Sequence, residues 1–383
     1  MTNRIILNET SYFGKGAIAE IVPEFRRRGF KKAAIITDKR LVEQGVAPKV
    51  MTLLDHVAID YVLYDGIVPN PTIQNVKEGV AFVKKAKVDC LIAIGGGSPI
   101  DTAKAIGIIL TNPEFSDVIS LEGTTVTKKP SLPILAVPTT SGTAAEVTIN
   151  YVITDETKQR KFVCVDPHDI PIVAFIDSEM MKGMPKALAA STGMDAMTHA
   201  IEGLITKGAW EMTDMFHLKA IEIIGQALED SVNGNQKGRE KMVLGQYIAG
   251  MGFSNAGLGL VHGMAHPLSA WYNIPHGIAC AVLLPTIMKY NKEYTGEKYR
   301  DIARALGIEK ASEMSLEAAR HAACLEIDRL SKAVGIPATI SELGVQAADI
   351  PAIAEDALRD VCTPGNPREA TIEEIITLYQ SLM

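Results

Sequence analysis

"LIAIGGGSPIDTAKAIG", residues 91–107, joins an apolar run, three glycines and an amphipathic segment opened by Ser-Pro. The run predicts a buried strand, the last segment a helix, and the junction a tight turn. Gly95, Gly96 and Gly97 let a backbone approach a phosphate closely. Ser98 is placed to cap the helix and Pro99 to occupy its first position. Exposed N–H groups and the helix dipole at such a start form an anion site. The spacing is neither GxGxxG nor a P-loop, so a plain turn is the competing reading.

Outward from this stretch, "KAAIIT", "AIDYVLY", "LPILAVPT" and "IVAFID" are short apolar runs that close at Asp, Gly or Pro. Amphipathic segments such as "NVKEGVAFVKKAK" separate them. That alternation predicts an α/β layer around a mostly parallel sheet. "INYVITD" and "KQRKFVCVD" flank a polar turn and predict a hairpin near the sheet edge. From about Lys186 the apolar spacing becomes three and four, as in "KALAASTGMDAMTHAIEGLI", which predicts an all-helical second half. Gly183 and Pro185 interrupt the pattern between the two. The expected domains are therefore residues 1–184, α/β, and 185–383, all-α.

The chain has 383 residues, 47% hydrophobic and 22% charged, an ordinary globular composition with room for two cores. A formal charge of -7 leaves no basic surplus for a phosphate backbone, which argues against nucleic acid as a partner. The first residues carry no signal-peptide pattern, and no apolar run reaches the roughly 20 residues that span a bilayer. Cys90, Cys164, Cys280, Cys324 and Cys362 are scattered without CxxC spacing, so a reduced cytoplasmic setting is expected.

Two more strand ends are polar. Asp38 follows "KAAIIT" and either caps the next helix or accepts hydrogen bonds from ribose hydroxyls; such an acid repels the 2'-phosphate of NADP. Thr139, Thr140, Ser141 and Thr143 follow another strand and offer hydroxyls to a pyrophosphate or ribose. Three polar strand ends on one sheet suit a ligand at its carboxyl edge.

The second half concentrates histidine: three of the eight, His262, His266 and His276, lie in "GLVHGMAHPLSAWYNIPHG". In "GMDAMTHAIEG", Asp195 and His199 are four apart and share a helix face. One carboxylate with imidazoles suits iron(II) or zinc, and the lack of thiolates disfavours a structural zinc. His262 and His266 are also four apart, so spacing leaves open whether His266 or His276 completes the set.

Together with "PTTSGTAAEVT", "STGMDAMTHAIEG" and "CTPGNPREAT", these motifs resemble the iron-containing (group III) alcohol dehydrogenase family along essentially the whole chain. The resemblance implies a Rossmann-like N-terminal domain, a helical C-terminal domain, and an active site in the cleft between them. It makes Asp195, His199, His262 and His276 the metal ligands, normally of iron(II) with zinc(II) as the alternative. His266 becomes a proton relay beside the nicotinamide. Gly96, Gly97 and Ser98 would hold the pyrophosphate of NAD, with Asp38, Asn70, Thr139, Thr140, Thr143 and Lys161 completing the site. Asn150, Phe253 and Leu258 would line a pocket for a short hydroxyaldehyde or diol.

The implied activity is NAD-dependent interconversion of lactaldehyde and 1,2-propanediol, with 1,3-propanediol or ethanol as alternative substrates. A dehydroquinate-synthase-like lyase is remoter, since the segment around Asp195 and His199 has few basic groups. The resemblance also implies a homodimer, to which "RIILNETSYFG" could contribute an added strand. One departure is Thr286, at a position where many relatives carry His.

Overall fold

A computed structural model describes residues 2–383. Among them nine strands form two sheets. β1 (Thr10–Phe13), β2 (Lys32–Ile36), β3 (Asp60–Tyr64), β4 (Cys90–Gly95), β6 (Ile134–Pro138) and β9 (Val173–Ile176) make a six-stranded sheet in the order β1-β9-β6-β4-β2-β3. All its pairings are parallel. β5 (Gly123–Thr124), β7 (Asn150–Asp155) and β8 (Arg160–Val165) form a separate small sheet. The expected hairpin is there, β7 against β8, but it sits in this second sheet rather than on the edge of the first. Asp155 Oδ1 closes its turn by accepting from the backbone N–H groups of Thr157 and Lys158.

The apolar runs are continuous because the large sheet is buried on both faces. Ile35, Ile92, Ile94, Val137 and Phe175 pack with Ile21, Phe25, Val50 and Leu54 on one side. Ile36, Leu91, Ala93 and Ile134 pack with Val83, Ile100, Ala103 and Ile106 on the other. Helices α1 (Ile21–Arg27), α2 (Lys39–Glu43), α3 (Ala47–Asp55), α4 (Ile73–Ala86) and α5 (Gly97–Thr111) supply those layers. The chain runs from β2 outward to β3 and then returns to β4 on the other side of β2. The carboxyl ends of β2 and β4 therefore flank the point where the winding reverses, which in such sheets opens a crevice.

This first compact unit runs to Met184 except for Ser141–Thr143, which group with the second, Pro185–Met383. The second unit is helical: α6 (Lys186–Ile205), α7 (Glu211–Val232), α8 (Gln236–Ala256), α9 (Leu260–Tyr272), α10 (His276–Asn291), α11 (Lys298–Ala305), α12 (Leu316–Ala333), α13 (Ile350–Arg359) and α14 (Ile372–Gln380). α6 is its axis. Every residue from Ala189 to Ile205 is buried, and the helix packs against α7, α8 and α10. A helix buried all round would ordinarily be wholly apolar, so the two acids and the imidazole it carries need partners inside.

His217 of α7 shows how tightly this bundle closes. A Cβ at Gly203 of α6 or at Gly252 of α8 would stand 2.2 or 2.3 Å from His217 Nε2. Only glycine admits the ring there, and burial drives its pKa down to about 3. Among the described residues no helix is long and apolar enough to cross a membrane.

Candidate active site

Three helix geometries bring the acid and the imidazoles together. Asp195 and His199 lie one turn apart on α6. α9 begins directly after Gly259 and carries His262 and His266 one turn apart. α10 begins at His276, after Pro275 has ended the preceding loop. A Cβ on the next residue, Gly277, would meet the Ser191 carbonyl at 2.7 Å, so the start of α10 lies directly on α6. His276 Nε2 is thereby 3.9 Å from Asp195 Oδ1.

One ligand atom each from Asp195, His262, His276 and Cys280 falls within 4.8 Å of the others. Of the two histidines that spacing left open, His276 groups with Asp195 and His262, and His266 falls in a different set with Asp360 and Cys362. His199 is not one of the four. Its ring lies between Phe253, centroids 4.1 Å apart, and His262, 4.6 Å apart. Burial first, and then the neighbouring imidazoles, hold its pKa well below the ordinary value. Cys280 is an addition that sequence reading missed: its Sγ is 3.5 Å from His276 Nε2, one turn along α10. The i, i+4 spacing from His276 is the signal that marks it.

The donor set fits a divalent transition ion. His262 is 2% exposed, and its Nε2 has no hydrogen-bond partner among the described residues. A buried nitrogen left so costs about 1–3 kcal/mol unless something occupies its lone pair. Carboxylate, imidazole and thiol together match the borderline preferences of iron(II) and zinc.

Two further carboxylates lie against the rings. Glu202 Oε2 is 2.7 Å from His262 Nδ1. Burial lowers the His262 pKa, but the Glu202 hydrogen bond and charge, with Asp195 and Asp360, outweigh it and leave a net rise. Asp360 Oδ2 is 2.7 Å from His266 Nδ1, and Asp360 Oδ1 accepts from the Cys362 N–H. Glu202 follows Asp195 by seven residues on the same helix face; Asp360 is 94 residues from His266, and no spacing announces it.

In the first unit, β4 ends at Gly95 and α5 starts at Gly97. The expected Ser98 cap is corrected here: Gly96 occupies the cap position with no side-chain hydrogen bond. Ser98 lies inside the first turn, where its carbonyl accepts from Thr102 Oγ1, and Pro99 follows it. The glycines bend sharply enough for the helix to start two residues sooner, which leaves the first-turn N–H groups without a side-chain cap. A Cβ at Gly95 would overlap Pro99 Cγ at 2.3 Å, and one at Gly96 would come 3.0 Å from Thr140 Oγ1.

Around that turn, the Thr139 N–H donates to the Gly95 carbonyl at 2.9 Å. Asp38 is the cap of α2, its Oδ1 accepting from the Leu41 N–H at 2.9 Å. Asn70 sits between two prolines with φ +54°, a left-handed conformation. Lys161 lies on β8 opposite Thr154, and Asn150 opens β7. Lys104, fully buried in α5, donates to the Thr148 carbonyl and hydroxyl and to the Asn150 carbonyl. It ties the helix behind the glycine turn to the start of β7. Burial lowers the pKa of Lys104 and pushes that of nearby Asp101 up to about 6.

Thr143 groups with the second unit, as does its neighbour Gly142, where a Cβ would meet Thr192 at 2.7 Å. Leu258 precedes α9, and its carbonyl accepts from Thr206 Oγ1. Thr286 lies within α10, directly after Pro285.

A glycine turn on the doubly wound sheet of the first unit, and a buried acid and imidazole cluster in the helical second unit, define a metal-dependent dinucleotide enzyme. Residues 8–178 match iron-containing alcohol dehydrogenase, and residues 189–383 match the Fe-containing alcohol dehydrogenase family, C-terminal. The chain is 63% identical over 381 residues to lactaldehyde reductase of Escherichia coli K12, covering 100% of both. It is 40% identical to 1,3-propanediol dehydrogenase of Citrobacter freundii, over 98% of this chain and 97% of that one. The solved sulfoacetaldehyde reductase of Bifidobacterium kashiwanohense in complex with NAD+ superposes with a TM-score of 0.89 at 28% identity, covering 100% and 99%. The chain belongs to the iron-containing alcohol dehydrogenase family, and it is an NAD-linked, iron-dependent oxidoreductase.

Proposed function

We propose that this enzyme interconverts lactaldehyde and 1,2-propanediol, with Asp195, His199, His262 and His276 holding iron(II). The observation that carries the metal assignment is the buried His262 Nε2, without a hydrogen-bond partner among the described residues, on a histidine that clusters with Asp195 and His276. The likeness to lactaldehyde reductase supports the substrate. The two units then serve as a nucleotide-binding domain, residues 1–184, and a metal-binding domain, residues 185–383.

When bound, iron(II) supplies a Lewis acid for the carbonyl and NADH supplies the hydride. The chain positions and protonates. Gly96, Gly97 and Ser98 present backbone N–H groups to the pyrophosphate. Asn70, Thr139, Thr140, Thr143 and Lys161 contact the rest of the dinucleotide, and Asp38 takes the ribose hydroxyls through Oδ2. Asp360 accepts from His266 Nδ1, and His266 relays from solvent the proton that completes the alcohol. Phe253 and Leu258 exclude water and restrict chain length, while Asn150 hydrogen-bonds the second hydroxyl. The working form is a homodimer in the cytoplasm, a setting supported by five cysteines that form no disulfide with one another.

The test is to strip the metal anaerobically, return iron(II) or zinc(II) separately, and follow NADH oxidation with lactaldehyde against propanal. Iron should restore activity, with lactaldehyde the faster substrate. Restoration by zinc alone, or a preference for propanal, would move the enzyme to another branch of its family.

A further inference from the structure

One buried carboxylate at the cluster is not among the proposed ligands. Glu202 is 1% exposed on α6 and gathers four donors from the start of α9. Its Oε1 accepts from the Val261 N–H at 2.6 Å. Its Oε2 accepts from the Gly259 N–H at 3.2 Å and the His262 N–H at 3.3 Å, and lies 2.7 Å from His262 Nδ1. A Cβ at Gly259 would come 3.0 Å from Oε1, so glycine is what lets the carboxylate reach this far under the helix.

Backbone N–H groups can only donate, so both Glu202 oxygens are acceptors, and the fourth contact is donated by His262 Nδ1–H. An imidazole protonated on Nδ1 carries its lone pair on Nε2. That is the atom left without a protein partner. We propose that Glu202 is a positioning residue of the metal centre: one carboxylate both anchors the first turn of α9 and fixes the tautomer and direction of His262, so that Nε2 is offered to the ion. The inference rests on His262 being a ligand.

A helix anchor alone would not need the contact to Nδ1. Asn366 provides the comparison: its Oδ1 accepts from the Leu260 N–H of the same turn at 3.3 Å, while its Nδ2 donates to Asn291 Oδ1 and the Arg368 carbonyl. Glu202→Gln keeps the shape but faces a donor-only ring of partners with one acceptor fewer. An amide nitrogen turned to His262 Nδ1 either reverses the tautomer, placing a proton on Nε2, or pushes the ring away.

The experiment measures the cobalt(II) dissociation constant by chelator competition in the metal-free full-length protein and three variants. Glu202→Gln is expected to weaken cobalt(II) binding by about 10- to 100-fold, the usual effect of losing a carboxylate behind a ligand histidine. Asn366→Ala should lower thermal stability and leave cobalt(II) affinity unchanged. His262→Ala tests the underlying assignment: retained affinity would remove His262 from the ligands. Loss in His262→Ala with no change in Glu202→Gln would overturn the positioning role alone, as would an equal loss in Asn366→Ala and Glu202→Gln. Imidazole nitrogen-15 shifts of the metal-free wild type give a reading that no folding defect can obscure. They should show His262 protonated on Nδ1, and protonation on Nε2 alone would overturn the proposal.

Discussion

The Asp38 carboxylate caps a helix and is also the proposed contact to the cofactor ribose. Its Oδ1 accepts from the Leu41 N–H and starts α2, while the proposed cofactor contact uses the other oxygen and the negative charge. The two roles respond differently to a single atom change. Asn caps a helix about as well as Asp, so Asp38→Asn should leave the melting temperature nearly unchanged. A 2'-phosphate beside the native acid meets a like charge, and such juxtapositions cost several kcal/mol. The ratio of kcat/KM for NADPH over NADH should therefore rise by about tenfold or more, each tenfold being about 1.4 kcal/mol. An unchanged ratio in a stable variant would reduce Asp38 to a cap. At this scale the offset of Asp195 and His199 and the crowding of the histidines mark the region, but the cluster joins Asp195 with His262, His276 and Cys280 and leaves His199 stacked against His262. Cys280 and Glu202 stand at helical offsets from His276 and Asp195 but look like ordinary residues until the helices are packed. Asp360 depends on α13 folding back beside α9, which no local pattern reveals.

Among the elements, the parallel strands were legible because burial on both faces writes them as unbroken apolar runs. The start of α5 was not, since Ser98 and Pro99 are a good local cap pair and only the glycine turn decides that the helix begins earlier. The long helices of the second unit were legible in period but not in partner. His217 illustrates this, because its place between Gly203 of α6 and Gly252 of α8 is a property of three packed helices. That packing has a pH consequence. The folded pKa, about 3, lies below the ordinary 6.5, so in acid the unfolded chain binds the proton and the folded one does not. The stability that neutral burial confers is complete above pH 6.5 and is lost progressively as pH falls toward 3. Between pH 7 and pH 5 the loss amounts to about 2 kcal/mol from this group. His217→Leu removes the titration, whatever offset it introduces at neutral pH, and groups common to both proteins subtract. Urea unfolding at the two pH values should show the wild type losing about 2 kcal/mol more than the variant. Parallel losses would mean that His217 is solvated or partnered in solution.

For the whole molecule, the edges of the large sheet differ in a way that bears on assembly. At the β3 edge the strand opens with Asp60, paired with Lys32 at 3.4 Å, and charged residues of this kind discourage further strand addition. The β1 edge, Thr10 to Phe13, has no charge and no proline. Phe13 is 50% exposed, and Ile5, Ile6 and Leu7 just before the strand are only partly buried. An apolar, uncharged edge of this sort is stabilised when a second copy covers it, and two copies meeting through the same patch close a symmetric pair without leaving it open to further addition. The expected result is sedimentation of the wild type at twice the monomer mass at micromolar concentration. Phe13→Lys places a charge at the end of β1, far in sequence from every proposed ligand, and should shift the population toward monomer while cobalt(II) affinity is retained. A wild type that sediments as a monomer would remove the dimer from the proposed function. A Phe13→Lys variant that remains fully dimeric would move the interface away from β1.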